Sequence, residues 1–109
     1  MAYDEGLAQR IRETLSDRND VVEKKMFGGL CFMVRGHMSC GIVKDELMVR
    51  VGKDAYEESL TKPHAREIDF TGWAMKGMVY IAQDGLETDA DLAAWVRRGT
   101  DNADSLPPK

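Results

Sequence analysis

The chain has 109 residues and a net charge of −4, with 43% apolar and 31% charged residues. This length suits one domain that buries its core without disulfide or metal support, and no apolar run approaches the roughly 20 residues of a membrane helix. Residues 1–5 show neither the basic nor the apolar part of a signal peptide. We therefore expect a cytoplasmic protein with reduced thiols.

The first half of the chain predicts a helix followed by an antiparallel meander. Apolar side chains recur every four residues from Tyr3 to Leu15 and predict a helix over about residues 4–15. Four short apolar runs separated by glycine or polar residues then predict strands at residues 22–27, 30–35, 38–43 and 47–51. Gly36-His37 suits a two-residue type II′ loop between the second and third strands, because glycine tolerates positive φ at its first position.

The second half predicts a mixture of helices and short strands. Residues 54–60 predict a short helix stopped by Pro63. Residues 64–77 are the least regular, and we expect an edge strand at residues 68–70 and a last strand at residues 78–82. Thr88 and Asp91 resemble a capping box at the start of a helix over residues 89–99. We expect a frayed tail from about residue 101.

Together these elements predict a single α+β domain over residues 1–109. It would hold a small antiparallel sheet of five to six strands, with an N-terminal helix, a short middle helix and a C-terminal helix packed on it. Both helical ends of the chain are acidic, whereas the sheet-forming middle is nearly neutral.

The residues that most often ligate metals or act as catalysts are few, namely Cys31, His37, Cys40 and His64. They lack the paired spacing of structural zinc sites, and no G-x-S-x-G elbow is present. The predicted hairpin pairs Met33 with Cys40 and leaves Cys31 diagonal to Cys40. The two α-carbons would then be roughly 7–8 Å apart, which is longer than the roughly 5.5–6 Å usual for a disulfide. We expect packed cysteine side chains, no metal, no cofactor and no catalytic residue.

Two apolar features suggest a binding surface. Six methionines fall in or near the predicted sheet, namely Met26, Met33, Met38, Met48, Met75 and Met78. Methionine fills gaps in small cores and also forms adaptable binding surfaces, so both core filling and a methionine–aromatic binding face are open interpretations. Trp73 and Lys76 lie in a glycine-bounded loop that suits either stacking on a ligand or plugging the edge of the sheet.

The segment Lys25-Met26-Phe27-Gly28-Gly29-Leu30, followed by Gly36, Gly41 and the strand at residues 47–51, resembles the TfoX/Sxy N-terminal domain family. Residues 75–80 and the last predicted helix are also similar, so the resemblance covers about residues 5–100. It implies a compact α+β domain that is often found alone in bacteria and has no established enzymatic activity. In the two-domain regulators of natural competence, this domain precedes a helical domain, and those proteins act as transcriptional co-regulators alongside a DNA-bound activator. We expect a stand-alone member, since the sequence ends at Lys109.

We therefore predict a non-enzymatic regulatory module that binds a protein partner, such as part of the transcription machinery, and affects transcription indirectly. The predicted binding residues come from the signature, the hairpin turn and the tryptophan loop, and are Lys25, Met26, Phe27, Gly28, Gly29, Arg35, His37, Trp73 and Lys76. One alternative is direct nucleic-acid binding through Lys24, Lys25, Arg35, Arg50 and Lys76. A small enzyme of unknown type is another alternative, and an exposed strand edge would allow a homodimer.

Overall fold

A computed structural model describes residues 3–26, 29–67 and 77–107 of the chain. The described helices are α1 (Glu5–Thr14), α2 (Lys53–Leu60) and α3 (Asp89–Asp104), with a short 3-10 helix at Gln83–Leu86. The described strands are β1 (Val21–Met26), β2 (Gly29–Val34), β3 (His37–Val43), β4 (Glu46–Arg50), β5 (Ala65–Glu67) and β6 (Met78–Ile81). They form one sheet in the order β1-β2-β3-β4-β6-β5 with antiparallel neighbours, so the predicted α+β class is confirmed.

All three described helices contribute side chains to a single core on one face of the sheet. Ile11 of α1, Tyr56 of α2 and Val96 of α3 belong to the same buried cluster as Phe32 and Val49 of the sheet. Full burial of each such side chain is worth roughly 1.5–3 kcal/mol. We call this side of the sheet the helix face.

Two of the helices begin at side-chain caps. The Asp4 carboxylate accepts a hydrogen bond from the backbone N–H of Leu7 at 3.1 Å, and the Thr88 hydroxyl accepts one from the N–H of Asp91 at 3.1 Å. Each cap satisfies an N–H group that the first turn of a helix leaves without a partner. The predicted start of the last helix is therefore confirmed.

The turn between β2 and β3 differs from the prediction. Its two residues are Arg35 and Gly36, with φ values of 55° and 85°, and two positive φ values are typical of the type I′ turn, whose twist matches that of the flanking strands. Val34 consequently pairs with His37. The predicted Gly36-His37 type II′ loop was wrong.

A bulge in the same hairpin changes the pairing of the cysteines. The register shifts between Phe32 and Met33, so that Phe32, and not Met33 as predicted, pairs with Cys40. Cys40 lies in the core of the helix face, whereas Cys31 belongs to a separate apolar cluster on the other side of the sheet. Both cysteines are free and buried, as expected of packed side chains.

The helix α3 continues beyond its predicted end at residue 99. A Cβ atom at Gly99 would meet the backbone oxygen of Ser39, so this glycine serves the close approach of α3 to β3 and does not end the helix. Thr100 and Ala103 are buried, which explains why the helix persists to Asp104. The expectation of a frayed tail was therefore wrong for residues 101–104.

The region after α2 also differs from the prediction. Residues 65–67 form a short edge strand that pairs with β6, within the segment expected to be least regular. The edge strand predicted at residues 68–70 lies outside the described residues.

Candidate functional site

The sheet carries a second apolar cluster on the side opposite the helices. Cys31 and Met48 are at most 1% exposed, and the partly buried side chains packed against them are Met33, Met38, Val43, Met78 and Tyr80. None of the described helices contributes a side chain to this cluster. We call these seven residues the methionine face.

The absence of a side chain at Gly41 shapes the centre of the methionine face. Gly41 pairs with Cys31 on one neighbouring strand and with Met48 on the other. A Cβ atom there would lie 3.2 Å from the Cys31 sulfur, 3.3 Å from Cε of Met48 and 2.9 Å from the Leu30 backbone oxygen. The glycine therefore leaves the space that the two buried side chains occupy.

Burial changes the titration of two groups in this face. It raises the pKa of the Cys31 thiol, and it is also the largest cause of the raised pKa of the Tyr80 hydroxyl. A buried thiol with a raised pKa is a poor nucleophile, because the thiolate is the reactive form. The chemistry available at the centre of the face is therefore contact and not covalent reaction.

Charged residues flank the apolar cluster on the same side of the sheet. Lys24 pairs with Cys31, and Arg50 pairs with Met78, so both cations share the side of the methionine face. Neither forms an ion pair with any residue that the structure describes.

A third cation on this side is already paired. Arg66 lies opposite Tyr80 in the sheet, with its guanidinium carbon 4.6 Å from the centre of the Tyr80 ring. Its Nη2 atom is 2.7 Å from Oε1 of Glu46. The ion pair and the ring contact together hold this arginine at the edge of the face.

Of the predicted signature residues, the structure describes Lys25, Met26 and Gly29, which lie in the paired strands β1 and β2. Lys25 is exposed and pairs with Leu30, so it lies on the helix-face side of the edge strand β1. Met26 is the last residue of β1 and pairs with Gly29. A Cβ atom at Gly29 would meet the backbone oxygen of Ile42. Four further predicted residues lie outside the described residues, namely Phe27, Gly28, Trp73 and Lys76.

The two predicted residues of the hairpin turn contact the end of the chain's own last helix. Nη1 of Arg35 donates a hydrogen bond to the backbone oxygen of Asp104 at 3.0 Å. Nε2 of His37, whose ring is buried, lies 2.5 Å from the backbone oxygen of Pro107. These contacts span about 70 positions of sequence, so no local pattern signals them.

Arg18 forms two ion pairs at the same corner of the molecule. Nη2 of Arg18 lies 2.8 Å from Asp104 and 2.9 Å from Asp20. The hydrogen bonds from this guanidinium are the main reason why the pKa values of both carboxyl groups lie below their usual range. The arrangement anchors the end of α3 to the turn before β1.

The cations proposed for nucleic-acid binding are not gathered by the described structure. Lys24 and Lys25 lie on opposite sides of β1, Arg35 contacts Asp104, and Arg50 is three strands away from Lys24. Lys76 lies outside the described residues. The dense basic patch that phosphate binding requires is therefore not seen among the four described cations.

The cleft that contains His64 lacks a hydroxyl or thiol side chain among the described residues. His64 lines a cleft of about 430 Å³ together with Trp95 and Arg98, and no serine, threonine or cysteine among the described residues lines it. No three His, Cys, Asp or Glu side chains in residues 3–26, 29–67 and 77–107 are grouped so that they could hold a metal ion.

The comparison with family models decides the family. Residues 13–103 match the model described as the TfoX N-terminal domain, which is most of the 109-residue chain. The chain belongs to the TfoX N-terminal domain family. The resemblance noted from the sequence is confirmed, and membership of this family suggests a TfoX-like regulatory module.

Comparisons with curated proteins and with solved structures gave no match. In the part of the chain that the structure describes, no helix is both long and apolar enough to cross a membrane.

Proposed function

We propose that this TfoX N-terminal domain is a non-enzymatic regulatory module that binds a protein partner through its methionine face and affects transcription indirectly. The observation that carries the proposal is the apolar cluster on the side of the sheet opposite the helices, where five side chains remain partly accessible. Accessible apolar patches of this kind mark interaction sites. Methionine suits such sites because its side chain is flexible and polarizable.

The two interpretations of the methionines apply to different residues. Met48 is fully buried over Gly41 and fills the interior of the sheet face. Met33, Met38 and Met78 are only partly buried, and these three are the side chains offered to a partner. The buried side chain at the centre packs in one place, and the partly exposed methionine side chains around it can change conformation to fit a partner.

The opposite side of the molecule is less suited to this role, because three of its arginines are already held in ion pairs. Arg12 pairs with Glu23 at 2.8 Å, Arg98 with Glu58 at 2.8 Å and Arg10 with Asp89 at 3.3 Å. A partner that covered these exposed pairs would have to desolvate them for little gain.

The test uses the full chain as tagged bait in a lysate of the source organism. The double variant Met38→Glu/Met78→Glu places two carboxylates on the methionine face, and the control Ala90→Glu/Ala94→Glu places two on exposed positions of α3. We expect one partner to be retained by the wild type and the control and lost by the face variant, with circular dichroism showing that all three are folded.

Retention of that partner by the folded face variant would contradict the proposal. Transcript profiling of cells that carry each variant then tests the regulatory part. We expect the face variant to reproduce the transcript changes of a deletion and the control to behave as the wild type.

A further inference from the structure

We infer that the methionine face binds an acidic amphipathic helix of the partner protein, with apolar side chains on the methionines and carboxylates on Lys24 and Arg50. This inference rests on the proposed function, because it names the kind of partner for the same surface. Three features of the described residues support it, namely the order of residues across the sheet, the unpaired cations and the dimensions of the face.

The first feature is a row of residues that crosses the whole sheet. Successive pairings place one residue from each strand in the order Lys24, Cys31, Gly41, Met48, Tyr80 and Arg66. The row is apolar in its middle, with Lys24 at one end and the Arg66–Glu46 ion pair at the other. It therefore complements a ligand that is apolar in its middle and acidic where it meets Lys24.

The second feature is the charge balance of this side of the sheet. The whole chain carries a net charge of −4, yet the strand positions flanking the methionine face hold Lys24, Arg50 and Arg66 against Glu46. Glu46 is paired with Arg66, which leaves Lys24 and Arg50 without an ionic partner in the described residues. Complementary charge of this kind steers association and selects among partners.

The third feature is size. Six strands at about 4.8 Å spacing make the row about 24 Å long, which is also the length of a helix of about 16 residues. On the other side of the sheet, the 16-residue helix α3 packs against β2, β3 and β4. A partner helix on the methionine face would complete a second layer of the same dimensions.

These features favour a helix over a nucleic acid. Phosphate backbones are bound by closely grouped cations that release counterions, whereas here the cations are separated by apolar side chains. Apolar anchors at helical spacing, set in a groove or on a face, are the usual mode for an amphipathic helix.

The test measures binding of fluorescent 16-residue peptides to the full chain by polarization. The probe has leucine and phenylalanine on one helical face, with glutamates placed along the helix so that they reach Lys24 and Arg50. One control peptide has the same composition in scrambled order, and a second has lysine in place of each glutamate. We expect the probe to bind at least tenfold more tightly than either control.

Charge-reversed variants of the chain locate the contact. We expect Lys24→Glu/Arg50→Glu to weaken binding of the probe at least tenfold and to strengthen binding of the lysine peptide. Lys25→Glu is the matched control, because Lys25 is the next residue along β1 and lies on the opposite side of the sheet. It should leave the affinity for the probe unchanged.

Equal binding of the probe and the lysine peptide would overturn the inference, as would undiminished binding of the probe by the charge-reversed variant. Preferential binding of a 20-base-pair duplex DNA with a steep salt dependence would also overturn it. The proposed function fails separately, because it depends on loss of the natural partner from the Met38→Glu/Met78→Glu bait.

Discussion

The side chain of Arg35 in the β2–β3 turn donates a hydrogen bond to the backbone oxygen of Asp104 near the end of α3, at 3.0 Å. His37, two positions further along, contacts the backbone oxygen of Pro107. Two residues that the sequence places in an exposed hairpin therefore hold the last helix against the sheet. Their contribution to partner binding stays a prediction, whereas their structural role follows from these contacts.

Loss of the Asp104 carboxylate should reduce the stability of the protein at neutral pH. It should also make that stability depend less on pH in the acid range. The pKa of Asp104 is depressed in the folded state by hydrogen bonds from Arg18. A depressed pKa contributes stability above the unfolded pKa of about 3.9, and that contribution is lost as the pH falls through the folded pKa. We expect Asp104→Asn to lower the urea midpoint at pH 7 and to flatten its decline below about pH 5.

The control for this prediction is Asp101→Asn, one turn earlier on the same helix. The Asp101 carboxylate forms no ion pair in the described structure, so its removal should leave the acid limb of the curve as in the wild type. Equal effects of the two substitutions would show that the Arg18–Asp104 contact does not contribute to stability.

A methyl group at position 99 should separate α3 from the sheet. Because the new Cβ atom would meet the backbone of Ser39, which cannot move aside as a flexible side chain would, we expect Gly99→Ala to cost about 1–3 kcal/mol of unfolding free energy. Urea denaturation measures this. The control Gly6→Ala, in the exposed first turn of α1 with its nearest neighbour at 3.2 Å, should change stability by less than about 1 kcal/mol.

The native cysteines should resist alkylation. Burial raises the pKa of Cys40 to about 12 and also raises that of Cys31, so both residues hold less of the reactive thiolate at pH 8 than an exposed cysteine does. We expect iodoacetamide at pH 8 to modify neither residue in the folded protein and both in urea, as counted by mass spectrometry. A variant with an exposed thiol, Ala94→Cys, should react at one site under native conditions, and reaction of the wild type at a similar rate would contradict the observed burial.

Truncation of individual methionines should cost different amounts of stability at the buried centre of the methionine face and at its accessible positions. Met48 is fully buried, so Met48→Ala leaves a cavity and should cost about 2–5 kcal/mol. Met38 is only partly buried, so Met38→Ala should cost clearly less. Thermal and urea denaturation of the two variants test this difference, and similar losses would mean that Met38 is as much part of the core as Met48.

Features that depend on short stretches of sequence were predicted well. The helix α1, the capped start of α3 and the four strands of the meander agree with the structure to within one or two residues. Each rests on a local cause, such as the spacing of apolar side chains or a capping residue that bonds within one turn. The end of α3 was predicted too early, at residue 99, and glycine is a frequent residue at helix ends. The contact with Ser39 shows that Gly99 instead allows α3 to pack closely against β3.

The candidate site was predicted only in part. The number and location of the methionines indicated a methionine-rich face, and the structure assembles four of them into one cluster. Of the predicted binding residues that the structure describes, Lys25 lies on the opposite side of β1, and Arg35 and His37 lie at the hairpin turn. Lys24 and Lys25 show why, because adjacent residues of a strand point to opposite sides and only the register assigns the sides.

Local patterns in the sequence were enough to predict the α+β class, the order of its elements and the family, because periodicity, caps and the glycine signature involve residues close together in the chain. The folded structure was needed to find the register shift between Phe32 and Met33, the side of the sheet on which each cation lies and the contacts of Arg35 and His37 with residues 104 and 107. The contacts of Arg35 and His37 join residues about 70 positions apart in sequence. The side on which each cation lies depends on the strand register, because a shift of one residue would move every side chain to the other side.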